Sequence, residues 1–264
     1  MSNERKMIAL AAIPALLIAG WFSFGYMRDD QPRPMSSLLD KFTPYPQASS
    51  TPTRTASPAV KPTTSPGSSG LLLQKVPYIS QAALGEWSDP RQQDGCEEAS
   101  SAMAMAWVRG RGSFTPQQAL EEVLAVSTYL SKKYNNFRDT SAEDTAEWII
   151  RGYYGHQNVS VKHNIDKDDI IAELKNDHVV IVPVNGQLVG NPFYTAPGPL
   201  HHMMIIIGYD PNTREFITND PGLKTKGVGY RYSVDVLENA LQDYETGSHV
   251  PIVEVKTAMI VVGK

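Results

Sequence analysis

"DGCEEASSAMAMAW", residues 94–107, holds the chain's only cysteine at the point where a helical pattern begins. Downstream of Cys96, apolar residues recur at helical spacing through Ala99, Met103, Ala106 and Trp107, until Gly110 and Gly112 end the pattern. A helix starting at Cys96 leaves free backbone N–H groups and a positive dipole end beside the sulfur, which favour a thiolate. Gly95, without a Cβ, leaves room for a substrate backbone to approach. Glu97 and Glu98 act the other way, raising the thiol pKa if their charges point toward sulfur.

Working outward, Thr115-Pro116 reads as an N-cap and first helical residue, opening a helix to about residue 133. Ser141 and Asp144 resemble a capping box ahead of Trp148, Ile149 and Ile150. A short helix is expected over residues 167–176. After that the pattern changes. Residues 178–184, 202–209, 215–220, 229–234 and 251–263 read as strands, with a helix over 234–243 before the last. "LLLQKVPYIS" (71–80) reads as extended, Pro77 favouring an edge or a bend. Helices first and a mostly antiparallel sheet afterwards predict an α+β domain of two lobes over residues 71–264.

The remaining N-terminal part is of another kind. Residues 7–27 carry no charge and are long enough, at ~1.5 Å per residue, for a bilayer core of ~30 Å. Arg5 and Lys6 precede them and Asp29 and Asp30 follow. That bias predicts a cytoplasmic segment 1–6, an anchor at 7–27 and the rest outside, with a cleaved signal peptide as the alternative. No cysteine at the end of the run marks a lipoprotein. Residues 28–70 lead through a Pro/Ser/Thr-rich stretch, "PYPQASSTPTRTASPAVKPTTSPGSSG", that buries too little apolar surface to fold and is expected to act as a spacer.

Composition narrows function. The chain is 41% hydrophobic and 20% charged, as a folded protein is, with net charge −4 and pI near 5.9. No basic footprint marks a nucleic-acid partner. One cysteine forms no internal disulfide, so in an exported chain it is either a buried small hydrophobe or a reactive thiol. Of six histidines, His156, His163, His178 and His249 stand alone near element ends or loops, where surface positions are expected. His201-His202 abuts the most apolar strand and follows the Gly/Pro-rich loop "NGQLVGNPFYTAPGP". Side chains alternate along a strand, so the pair should point to opposite faces, against a shared metal and with only one facing Cys96. Asp220, before Pro221-Gly222, is either a turn former or the orienting acid of a triad.

"VPYISQ", "DGCEEASSAMAMAW", "GPLHHMMIIIGYD" and "FITNDPG" together, over roughly residues 74–222, resemble the papain-like cysteine peptidases of family C thirty-nine, whose founding members trim bacteriocin leaders. The resemblance implies a papain-like fold with Cys96 as nucleophile, His202 as base, Asp220 as its orienting acid and Gln81 as oxyanion donor. His202 matches through its spacing to Gly208-Tyr209-Asp210. Glu97 departs from the glycine usual after the cysteine, and Gln92 and Gln93 lie closer to Cys96 than Gln81. Joined to the anchor and spacer read from residues 7–70, this gives a monomeric, membrane-tethered peptidase acting outside the cytoplasm on a peptide or protein, without metal or organic cofactor. A cell-wall peptide amidase or transpeptidase with the same triad, and a non-catalytic peptide-binding domain, are the alternatives.

Overall fold

A computed structural model describes residues 70–264. The segments read as cytoplasmic (1–6) and anchor (7–27), and all but the last residue of the spacer, lie outside the described residues. Among those described, no helix is long and apolar enough to cross a membrane.

The chain runs from β1 (Leu72–Leu73) through α1 (Pro90–Gln93), α2 (Cys96–Val108) and α3 (Pro116–Tyr134) to α4 (Ala142–Asp144), which passes into a π-helical segment, Thr145–Tyr153. Then come β2 (Val159–His163), α5 (Lys167–Lys175), β3 (Val179–Val184), α6 (Gly186–Val189), β4 (His202–Asp210), β5 (Glu215–Asn219), β6 (Tyr230–Ser233), α7 (Val234–Ala240) and β7 (Ala258–Val262). The helix starts follow the sequence. Thr115 and Gln118 close a reciprocal capping box on α3, Ser141 caps α4, and Asp166 caps α5.

The seven-stranded sheet has the order β2-β7-β3-β4-β5-β6, every pairing antiparallel. β1 adds to β4 at Gly208 and Tyr209, beyond Ile206 where the β3 pairing stops. A Cβ on Gly208 would run into the Leu72 carbonyl, so glycine is what lets β1 approach. The mixed, mostly antiparallel α+β architecture is the expected one. Two details differ. β2 was not expected, because its burial alternates poorly (Val159 buried, Ser160, Lys162 and His163 exposed). The last strand is also shorter, since residues 251–257, starting at Pro251, form no ladder.

The core lies on both faces of the sheet. Met203, Ile205 and Ile207 of β4 pack with Ala99 and Met103 of α2. Met204 and Ile206 pack with Ile170 and Leu174 of α5 and Leu237 of α7 on the other. This double cover explains why β3 and β4 read as continuous apolar runs rather than alternating strands.

Candidate active site

A cleft of about 1150 Å³ opens where β4 begins. Gln81, Gln93, Cys96, His201 and His202 all line it, so four of the residues singled out from sequence, and His201 beside them, share one cavity. Asp220 lies behind His202.

Cys96 is the first residue of α2, as its spacing predicted, and is buried. Ser100, one turn on, donates to the Met203 carbonyl at 3.2 Å and fixes the helix start against β4. Gly95 does not open space for a substrate, contrary to the sequence expectation. A Cβ there would lie 2.6 Å from the Arg91 carbonyl and 3.0 Å from Val123, so the glycine permits the tight passage from α1 into α2.

The two glutamates are buried with the cysteine. The thiol donates to Glu97 Oε2 at 3.1 Å, and Tyr244 donates to Glu97 Oε1 at 2.6 Å. Burial, followed by the Glu97 charge, pushes the Cys96 thiol well above its ordinary range. Burial and nearby Asp139 raise Glu97 itself to about 7. Burial and Glu97 therefore both act against the thiolate that a helix start would otherwise favour.

His202 opens β4 and is buried. Its Nε2 meets Asp220 Oδ1 at 2.9 Å, leaving Nδ1 as the other ring nitrogen. Asp220 is fully buried and its carboxylate is saturated. Tyr194 and Tyr232 donate to Oδ2 at 2.6 and 2.7 Å, and the Gly222 N–H donates to Oδ1 at 3.0 Å. Burial opposes the charge, yet the His202 imidazole and the two tyrosine hydroxyls outweigh it and hold the carboxyl below its usual range. Tyr194 comes from the Gly/Pro-rich loop, and its ring lies 5.5 Å from that of His202.

Gln81 is buried, and the stretch after it folds back as its distance from Cys96 required. Its backbone N–H donates to the Pro221 carbonyl at 3.0 Å, tying it to the Asp220 loop. Its side-chain amide donates to the carbonyls of Gln92 (3.0 Å) and Gln93 (2.7 Å). Gln93 lines the cleft, and Gln92 is buried beside it.

His201 keeps different company. Its Nδ1 lies 3.5 Å from Asp139 Oδ2, and its ring packs 4.9 Å from Tyr244. His249, expected to stand alone, lies parallel to His201 at 6.2 Å and meets Asp139 through Nδ1 at 3.0 Å. Asp139, Tyr194, Tyr232 and Tyr244 were not found from sequence. Each meets its partner through the fold rather than through a local motif, and only Tyr194 lay in a segment singled out from sequence, the Gly/Pro-rich loop.

A family model described as Peptidase C39-like matches residues 73–251. The chain belongs to this peptidase family. Its α+β architecture is consistent with a papain-like fold. Among solved structures, a protein assigned as a C39-like peptidase from Bacillus anthracis is similar, with 13% identity, a TM-score of 0.47, and coverage of 74% of this chain and 98% of that one. Among curated proteins, none matches the sequence. Membership implies a peptide as substrate.

Proposed function

We propose that the chain is a cysteine peptidase in which Cys96 is the nucleophile, His202 the general base and Asp220 the residue that orients it. The observation that carries this reading is that His202, backed by Asp220 at 2.9 Å, lines the same cleft as Cys96 at the helix start. With Asp220 on Nε2, Nδ1 is the nitrogen that takes the thiol proton and later protonates the leaving amine. The resting thiol gives its hydrogen to Glu97, so attack begins when that proton passes to His202 instead. The Cys96 N–H and an amide of Gln81 stabilise the oxyanion, a donor of this kind being worth ~3 kcal/mol. For Gln81 this means releasing one of its bonds to Gln92 or Gln93.

Residues 7–27 anchor the peptidase in a membrane in this reading. Residues 28–70 hold it outside the cytoplasm as a monomeric domain. The test is hydrolysis of a peptide library by wild type and Cys96→Ala. The variant is expected to lose all turnover while keeping the wild-type circular dichroism spectrum. Equal cleavage by the two would reject the reading.

A further inference from the structure

The cleft wall holds a second cluster that this chemistry does not use. Asp139, His201 and His249 come from three separate segments, and each offers one ligand atom, all within 4.8 Å of one another. Asp139 Oδ2 stands 3.0 Å from His249 Nδ1 and 3.5 Å from His201 Nδ1. In a tetrahedral site with metal–ligand distances of ~2.0–2.1 Å, ligand atoms are spaced roughly 3.3–3.4 Å apart. Two edges of such a site are therefore already close to length. Two imidazoles and one carboxylate, with a position left toward the cleft, are a donor set suited to zinc and its neighbours.

The surroundings match this use. A ligating histidine usually has a second partner on its other ring nitrogen. His249 Nε2 lies 3.7 Å from Asp94 Oδ1, and Arg138 holds the other Asp94 oxygen at 3.2 Å. His201 is fixed by its packing on Tyr244. Asp139 and His249 both occupy left-handed backbone conformations, with φ of 43° and 51°. Non-glycine residues held this way cluster where a site over-determines the backbone. Asp139 is buried, so its carboxylate is a ligand that solvent does not compete for.

We propose that Asp139, His201 and His249 form a binding site for one divalent transition metal of the zinc class, on the cleft wall and apart from the Cys96 sulfur. The alternative is a plain ion-pair network with no affinity for metal.

Titration of zinc chloride into the purified full chain, followed by calorimetry, separates the two. One ion per chain is expected in wild type and in Cys96→Ser, which removes the thiol as a competing ligand. His249→Ala, at a half-exposed ring, is expected to weaken binding roughly 100-fold or more. Asp139→Asn should weaken it likewise, and cobalt(II) should give the visible bands of a four-coordinate nitrogen–oxygen site only where zinc binds. Absence of binding in wild type, its loss in Cys96→Ser, or unchanged affinity in His249→Ala would overturn the proposal. The readout is metal affinity, so its failure leaves the peptidase reading intact, and an inactive chain leaves the metal site standing.

Discussion

His201 and His202 are adjacent in the chain, and the fold makes opposite uses of them. His202 belongs to the strand. It has the parity of Met204 and Ile206, and its carboxylate partner follows the neighbouring strand. His201 sits one residue before the strand and faces a wall assembled from the helical half and the segment after α7. Asp220 is enclosed and saturated by four groups, whereas Asp139 serves two rings and a backbone N–H, one of the rings half exposed. The lesson is that a repeated residue type need not mean a shared site. A step of one residue at a strand end changes the face, the partner and the chemistry.

The sharpest way to break this contrast is to compare His202→Ala with His201→Ala. Loss of a general base lowers kcat/KM by roughly 10²–10⁴-fold. The loss at His202 should exceed that at His201 by about 100-fold, measured with one peptide under identical conditions. The reverse order would move the base to the His201–Asp139 pair.

Stability draws the same line with a smaller effect. Removing one partner of a buried ion pair costs about 3–5 kcal/mol. Asp220→Ala should approach that cost in urea unfolding, because it also strands the hydroxyls of Tyr194 and Tyr232. Asp139→Ala should cost clearly less, since the half-exposed His249 ring can turn to water. Equal costs would remove the distinction between an enclosed and an open pair.

Glu97 supplies a pH test. Its folded value, about 7, lies above the ordinary 4.5, so between those values the folded chain keeps a proton the unfolded chain has lost. Stability attributable to Glu97 is then present below about pH 4.5, falls as pH rises, and levels off above about 7. Glu97→Gln should flatten that decline in thermal melts. It should also raise the iodoacetamide reactivity of Cys96 severalfold at pH 7, because the charge holding the thiol up is gone. An unchanged alkylation rate would mean that burial alone keeps the thiol neutral. Tyr232→Phe is the mildest change. It removes one of four bonds to Asp220 and should cost about 1 kcal/mol.

Much of the fold was legible because it rests on local signals. The caps at Thr115 and Ser141 and the apolar runs of β3 and β4 each speak for themselves. β2 was not legible, because an edge strand with one buried residue carries no period. The Cys96 helix start was readable from spacing, but the protonation of its thiol was not. That depends on Glu97 folding inward toward sulfur and on Tyr244, which is brought back from the far end of the domain. His249 and Asp139 were invisible for the same reason, since their proximity arises from three loops and no motif.

The β2–β7 pairing bears on when the cleft can come into being. β7, residues 258–262, is the second strand of the sheet and joins β2 to β3. Until those residues leave the ribosome, β2 has no partner and one edge of β3 is bare. The strand supporting His202 pairs with β3, so the cleft is built beside a strand that keeps one open edge until β7 pairs. Assembly must wait for contacts about a hundred residues apart, which makes it slow relative to synthesis of the helices. A chain interrupted shortly before residue 258 would carry all of the proposed catalytic groups on a sheet still open at β3.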